Sequence, residues 1–594
     1  MGLTLITGPA NAGKVALLLR RYLDELEREP VHIVPIRSDV ERVERELLAL
    51  RPALLGGTVG TFDDLFERIA RGVADARPVV SEAQRTLIVR RTVTALRARM
   101  NGLGHSARFG GFVDALLQSV AELEAGLVDP RDLDGDVADL YAAYRAELDR
   151  LGRWDRDLLR RRAAERVAAD FAAWDGSPVF AYGFEDLTGA EWALLQELTG
   201  RTDVAVSIPY EPGHGALAPL RRTVEDLGRL SEGRIEQLPP RWDELAAPAI
   251  AHLERNLFAD GAAPAPPIDG ALRFLEGAGA RGALELVAAE VLELVRAGVA
   301  PDAIGIVCPT IERWRVPLET ALATFGIPYS VEARVRLDRT PFGHALLALL
   351  RFAWDDGGRR DLFAHLRSPF SGLARGSADF LEGRLRGRAV ESRERVEEET
   401  IRLRDGRPLP LLEALRSAHD LLEGVQTVAA AMLRNAYGLE APPVGEASRG
   451  DLRAHDAVMR LLAELRGWVA FGGSLAPDEI VAALEHAEVR GASAPEAGHV
   501  AVLDLMRART RRFEVLFLLG LEEGSLPRRG HESPFLGDEL RRRLDNRRGA
   551  RLAPRDHVAR DRYLFYTACT RATRRVYFVR EAATDDGSPR EASP

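Results

Sequence analysis

The first nineteen residues follow the order strand, glycine-containing loop, helix. Residues 3–7 are a short apolar run typical of a buried strand, and residues 15–19 are mostly helix-forming. Between them, residues 8–14 have the spacing Gly-x-x-x-x-Gly-Lys. This order constrains the fold strongly, because the backbone N–H groups of such a loop and the start of the next helix together form a site for phosphate.

Lys14 is the only lysine in the chain, and the other 80 of the 81 basic residues are arginines. A compact ammonium reaches phosphate oxygens in a loop where the wider guanidinium of arginine fits poorly. An ordinary turn between strand and helix is the alternative interpretation. Val15 stands where such loops carry a serine or threonine hydroxyl that ligates Mg²⁺. The predicted phosphate-binding residues are Gly8, Pro9, Ala10, Asn11, Ala12, Gly13, Lys14 and Val15.

Alternation of β-rich and helical segments predicts an α/β fold with two parallel sheets, each interrupted by a helical insertion. The predicted units are the first sheet domain in two parts (1–80 and 171–260) around a helical insertion (81–170), a linker (261–270), the second sheet domain in two parts (271–344 and 496–583) around another helical insertion (345–495), and a polar linker that is cut short (584–594).

Composition excludes several classes of protein. The formal charge of −9 at pH 7 argues against a histone-like or membrane-coating role. Cys308 and Cys569 are the only cysteines, which is too few for a disulfide framework or a four-cysteine metal site. No run approaches the roughly 18 apolar residues of a membrane span, and the N-terminus lacks a secretion signal. We therefore expect a cytoplasmic protein that does not contact a membrane.

Residues 564–572, Leu-Phe-Tyr-Thr-Ala-Cys-Thr-Arg-Ala, are similar to a motif of superfamily-one, UvrD-like DNA helicases. Weaker matches lie at 60–62, 325–329 and 502–513. With the phosphate loop, they make the whole chain resemble the AddB-type subunits of bacterial AddAB helicase-nucleases. The resemblance implies two RecA-like P-loop domains that bind ATP with Mg²⁺, and an arginine, Arg571, that reaches the γ-phosphate. It also implies DNA contacts by Thr61, Arg507, Arg509 and Thr570.

Several residues that hydrolyse ATP in that family are replaced here. Tyr182 and Gly183 stand in place of the Asp that holds Mg²⁺ and the Glu that positions water, and Pro309 replaces an arginine. The degenerate Walker-B region keeps Glu185 and Asp186, and we interpret Glu185 as a solvated carboxylate in a turn. Loss of these groups should slow hydrolysis by several orders of magnitude. We therefore expect a chain that binds ATP and has degenerate hydrolysis motifs.

AddB-type subunits continue into a PD-(D/E)XK nuclease domain with a cysteine-bound iron-sulfur cluster, and we expect neither here. The resemblance implies a helicase-like subunit for double-strand-break repair and recombination, which binds single-stranded or duplex-end DNA beside an AddA-like motor subunit. Two alternatives stay open. One is an active helicase and DNA-dependent ATPase that uses Glu185 or Asp186, and the other is a P-loop protein unrelated to DNA, such as a small-molecule kinase.

Overall fold

The computed structural model describes most of the chain, and two six-stranded sheets form its centre. Parts of the predicted linkers and of the second insertion lie outside the described residues. The structure describes residues 1–593 except 74, 260, 262, 333, 389, 439–444, 491–496, 529, 531–532, 553–555 and 585.

The prediction of an α/β fold with two parallel sheets is confirmed. The first sheet has the strand order β3-β2-β4-β5-β1-β6 and the second has the order β7-β14-β13-β8-β12-β9, with parallel pairing throughout both. A small antiparallel pair joins β10 to β11. The strands are β1 (Gly2–Thr7), β2 (Val31–Ile33), β3 (Thr58–Gly60), β4 (Val179–Tyr182), β5 (Asp203–Ser207), β6 (Ile235–Gln237), β7 (Leu272–Ala278), β8 (Ile304–Cys308), β9 (Tyr329–Val331), β10 (Arg334–Arg336), β11 (Glu488–Arg490), β12 (Val500–Asp504), β13 (Phe513–Leu518) and β14 (Ala572–Ala583).

Helices cover the sheets and fill both insertions. Within the described part of the chain, no helix has the length and apolarity that a membrane crossing requires. The α-helices are α1 (Lys14–Asp24), α2 (Arg37–Leu50), α3 (Phe62–Ala70), α4 (Glu82–Leu96), α5 (Gly111–Ala125), α6 (Gly135–Leu151), α7 (Arg156–Ala169), α8 (Gly189–Thr199), α9 (Arg221–Leu230), α10 (Trp242–Leu245), α11 (Pro248–Asn256), α12 (Gly279–Arg296), α13 (Ile311–Thr324), α14 (Pro341–Trp354), α15 (Arg359–Leu366), α16 (Arg375–Gly387), α17 (Arg393–Leu403), α18 (Pro410–Ser417), α19 (Leu421–Tyr437), α20 (Glu446–Ala470), α21 (Pro477–His486), α22 (Leu505–Ala508), α23 (Asp538–Arg548) and α24 (His557–Cys569).

The central strands are apolar without alternation because helices cover both faces of each sheet. Every residue of β4 and of β8 is buried. On the first sheet, α1 and α2 pack on one face, and α3, α7 and α8 pack near the other. Helix α7 falls within the predicted first insertion, yet Leu158 and Val167 place it in the core of the sheets.

The two sheets share one hydrophobic core. It contains Leu3 and Val206 from the first sheet, Leu503 and Leu516 from the second, and Leu564 from α24. The opposite face of the second sheet packs on α12 and α13 in a separate core. Helix α24 therefore lies where the two sheets meet, and it ends just before Arg571.

The two helical insertions also share a core, although they are far apart in the sequence. Leu87 and Phe112 of the first insertion join Phe352 and Leu462 of the second in one buried cluster. The fold thus has a sheet body and a helical body, each built from both halves of the chain.

The last described residues differ from the predicted linker, because they fold back on the second sheet. The Ser593 N–H donates to the Leu521 carbonyl at 2.9 Å, and Arg590 pairs with buried Glu581 at 2.9 Å. Residues 586–593 therefore pack against the second sheet through backbone and side-chain contacts.

Candidate functional site

The loop between β1 and α1 has the backbone shape of an anion cradle. Gly8, Asn11 and Gly13 have left-handed φ values of 144°, 55° and 87°. A Cβ on Gly8 would lie 2.8 Å from the Leu238 carbonyl, so glycine is required there by close approach. No side chain caps α1 at Gly13, which leaves the first N–H groups of the helix for an external acceptor.

Lys14 is the first residue of α1, and its side chain bends back into the loop. Only 9% of the residue is exposed, and Nζ donates to the Gly8 carbonyl at 2.9 Å and to the Pro9 carbonyl. Burial and, to a smaller extent, the charge of Arg571 lower the pKa of Lys14 to about 7, although Glu254 partly offsets both effects. The ammonium thus has neutral acceptors and a second cation nearby.

Arg571 follows α24 and comes from the second half of the chain. Nε donates to the Thr567 carbonyl at 3.2 Å, Nη1 to the Arg509 carbonyl at 3.2 Å, and Nη2 to the Thr570 hydroxyl at 2.9 Å. Each of these acceptors is neutral, and burial lowers the pKa of the guanidinium. Lys14 and Arg571 therefore bring two cations with neutral acceptors to one place, which suits an anion with several oxygens.

Asn11, at the tip of the loop, joins the two halves of the chain. Its Nδ2 donates to the Thr570 carbonyl at 3.1 Å and to Oε2 of Glu254 at 3.0 Å. Glu254 lies on α11, a helix that packs against α24 and β14. Just before α11, the Ala247 N–H donates to the Thr573 carbonyl at 2.8 Å. The phosphate loop of the first sheet thus contacts the segment that carries Arg571.

Glu185 differs from its predicted state as a solvated carboxylate. Its side chain is 13% exposed, and Oε1 accepts from Nη1 of Arg509 at 2.9 Å. Arg560 of α24 lies 3.7 Å from the other oxygen. Glu185 is shielded from solvent because the turn after β4 faces the second sheet, where two guanidinium groups surround the carboxylate.

Asp186, by contrast, lies largely in solvent. Its side chain is 69% exposed, and Oδ1 accepts from the Thr223 hydroxyl at 3.2 Å. Tyr182, Gly183 and Val15 supply no carboxylate or aliphatic hydroxyl. In the described ranges, no group of three or more His, Cys, Asp or Glu side chains could hold a metal ion. The residues fit phosphate, and they offer no ligand set for a resident metal.

Two residues predicted to contact DNA are engaged within the protein. Thr61 caps α3: its hydroxyl accepts from the Asp64 N–H at 3.4 Å, and its own N–H donates to the Asp64 carboxylate at 2.7 Å. Arg507 donates to the Glu332 carbonyl and pairs with Asp504 at 3.2 Å. Thr61 and Arg507 therefore have structural roles that do not depend on DNA.

The other two predicted DNA contacts lie at the boundary between the sheets. Thr570 is 2% exposed, its hydroxyl donates to the Thr567 carbonyl at 2.8 Å, and its carbonyl accepts from Asn11. Arg509 is paired with Glu185. Thr570 is therefore buried in this arrangement of the sheets.

The sequence was compared with known proteins. No protein-family profile matches the chain. AddB-type proteins named as subunits of an ATP-dependent helicase/deoxyribonuclease do match: that of Pelotomaculum thermopropionicum is 25% identical over 100% of this chain and 58% of its own length. Those of Heliobacterium modesticaldum (25%) and Moorella thermoacetica (27%) match over 99% and 100% of this chain, and over 55% and 59% of their own lengths.

The chain is related to AddB-type subunits. It spans less than two thirds of the length of each of these three relatives. The resemblance of the sequence to AddB-type subunits is therefore confirmed along the whole chain.

The structure brings three further side chains to the site that the AddB-type motifs do not include. Glu254 contacts the loop, Arg560 lies beside Glu185, and Tyr563 is a buried phenol whose pKa is raised by burial and by Glu185. Arg560 and Tyr563 lie within about one turn of the start of the motif at 564–572, so helical periodicity could have suggested them. No spacing in the sequence connects Glu254 with residue 11.

Proposed function

We propose that the chain is the helicase-like, DNA-binding part of an AddB-type subunit in a helicase-nuclease that repairs and recombines double-strand breaks. In this proposal each parallel sheet is the core of a RecA-like domain. The observation that carries it is the hydrogen bond from Asn11, in the loop of the first sheet, to the Thr570 carbonyl beside Arg571 of the second. A helicase of this type binds nucleotide between such elements.

The nucleotide of this proposal is ATP, held by the loop N–H groups, Lys14 and Arg571. Mg²⁺ comes with the nucleotide, because Val15, Tyr182 and Gly183 offer it no acidic or aliphatic hydroxyl ligand. Hydrolysis is slow for the same reason, since metal and attacking water both lack their usual carboxylates. The chain then serves as an ATP-dependent grip on DNA rather than as a motor.

The polymer of this proposal is single-stranded or duplex-end DNA, and an AddA-like subunit supplies translocation in the cytoplasm. Thr61, Arg507, Arg509 and Thr570 remain the predicted contacts. Because Arg509 and Thr570 lie where the sheets meet, DNA binding to them requires a more open arrangement than the one described. Binding should weaken steeply with salt, since arginine-phosphate contacts release counterions.

A second candidate function is an active DNA-dependent ATPase that uses Glu185 as its catalytic carboxylate. One observation favours it: Glu185 is held by Arg509, whose carbonyl accepts from Arg571. The carboxylate is thus two contacts from the predicted γ-phosphate arginine. Its two arginine partners argue against a role as a base, because they lie against both of its oxygens.

ATP turnover measured with and without single-stranded DNA, at low salt, tests the proposal. We expect DNA binding by fluorescence anisotropy and turnover no higher than that of Lys14→Ala. Turnover that DNA stimulates, and that both Lys14→Ala and Glu185→Gln abolish, would establish the second candidate instead. Absence of DNA binding at low salt would contradict both candidates and favour a P-loop protein of another class.

A further inference from the structure

Glu254 is a buried carboxylate that the helicase resemblance does not explain. It is 1% exposed and lies in the last turn of α11. Burying a carboxylate is costly unless cations or hydrogen-bond donors compensate for the lost water. Its surroundings therefore indicate what this group does.

Part of the compensation comes from the predicted phosphate site. Asn11 donates to Oε2 of Glu254 at 3.0 Å from the tip of the loop. The charge of Glu254 also raises the pKa of both Lys14 and Arg571, although burial lowers each of these values overall. It further raises the pKa of the buried Tyr566 phenol. One carboxylate thus interacts with the loop, with its lysine and with the arginine opposite.

Glu254 belongs structurally to the second half of the site, although it precedes the linker in the sequence. Helix α11 packs against α24 and β14, and the Ala247 N–H donates to the Thr573 carbonyl. Both acceptors of Asn11, the Glu254 carboxylate and the Thr570 carbonyl, therefore lie on elements that pack with the second sheet. A single loop residue therefore donates to both acceptors.

We propose that Glu254 is an internal anion that takes the place of a nucleotide phosphate and competes with it for the loop. The inference rests on the proposed nucleotide site and adds its regulation. A triphosphate that enters the loop must displace Asn11 from Glu254, and its own negative charge repels the carboxylate. Nucleotide binding is therefore coupled to loss of the hydrogen bond between Asn11 and Glu254.

Titration of the full chain with the slowly hydrolysed analogue ATPγS and Mg²⁺, followed by calorimetry, tests this coupling. Glu254→Gln keeps the shape and removes the charge, and we expect it to tighten ATPγS binding about tenfold, within the usual range of coupling between sites. Asn11→Gly removes the hydrogen bond and tolerates the left-handed φ, so it should also tighten binding. Glu225→Gln removes an exposed carboxylate from α9 and should leave the affinity unchanged.

The outcomes separate this inference from the proposed function. If wild type binds ATPγS in a manner that depends on Lys14, and Glu254→Gln binds no tighter, internal competition is wrong and the nucleotide site stands. If neither wild type nor any variant binds ATPγS, both ideas are wrong. Circular dichroism establishes that each variant is folded. Should Glu254→Gln not fold, unchanged affinity in Asn11→Gly overturns the inference.

Discussion

At the residue scale, the site depends on cations that the protein holds under unfavourable conditions. Lys14 is buried, donates only to carbonyls and has a pKa of about 7 instead of 10.5. A residue retained against such a cost is typical of binding sites, where stability is exchanged for function. The sequence alone singles out Lys14, because every other basic residue is an arginine. The burial of Lys14 could not be predicted, since it depends on α24 and α11, which are distant in the sequence.

The lowered pKa of Lys14 predicts a pH-dependent effect on stability. In the unfolded chain the lysine stays protonated up to about pH 10.5, so between pH 7 and 10.5 the native state holds fewer protons and its stability rises with pH. Each pH unit in that window is worth up to about 1.4 kcal/mol. Lys14→Met should therefore raise the melting temperature at pH 6 and raise it less at pH 9.

Differential scanning fluorimetry at the two pH values measures this effect. Arg20→Met, on the exposed face of the same helix, is the matched control and should change the melting temperature little at either pH. An equal gain for Lys14→Met at pH 6 and pH 9 would show that the lysine is not held near neutrality.

At the element scale, strands that are buried on both faces were predictable, because their apolar runs do not depend on neighbours. The uninterrupted apolar run at Ile304–Cys308, for example, forms β8. The sequence pattern does not predict the long strand β14, because Arg574, Arg575 and Arg580 interrupt its apolar residues. The sequence pattern also does not predict how residues 505–512 pack in the protein. Arg511 pairs with buried Glu332 at 3.1 Å, and Thr510 donates to Asp39 at 2.7 Å. Partners so far apart in the chain leave no local signal.

The N-terminus of α3 offers a test that separates structure from DNA binding. Thr61 and Asp64 form a reciprocal cap, and replacing such a cap with alanine costs about 1 kcal/mol. Thr61→Ala should lower the melting temperature with or without DNA, whereas Thr61→Ser should keep the cap. A loss of single-stranded DNA affinity in Thr61→Ser, at unchanged melting temperature, would assign Thr61 a direct role in DNA binding.

At the scale of the whole molecule, sheets and insertions form two bodies, and the core of the helical body is separate from the cores of the sheets. The sequence pattern predicts two helical insertions, but it does not predict that they pack together, because helical periodicity shows an apolar face and not its partner. Phe352 lies in the helical core and Leu503 in the core shared by the sheets, and both are fully buried. Truncating either leaves a cavity that costs roughly 2–5 kcal/mol.

These two truncations should affect the nucleotide site differently. Phe352→Ala should lower the melting temperature and leave ATPγS affinity unchanged, because the helical core does not touch the loop. Leu503→Ala should lower both the melting temperature and the ATPγS affinity, because it loosens the packing between the two sheets, where Arg571 lies. Calorimetric titration of both variants below their melting temperatures measures the difference, and equal losses of affinity would contradict the division into two bodies.

The central claim is that Lys14 of the first sheet and Arg571 of the second face one nucleotide. A double-mutant cycle on ATPγS affinity, with Lys14→Ala, Arg571→Ala and the double variant, tests it most directly. We predict that each single change weakens binding about tenfold or more and that the double change costs less than the sum, because the two cations hold the same phosphate. Unchanged affinity in Arg571→Ala would contradict the claim.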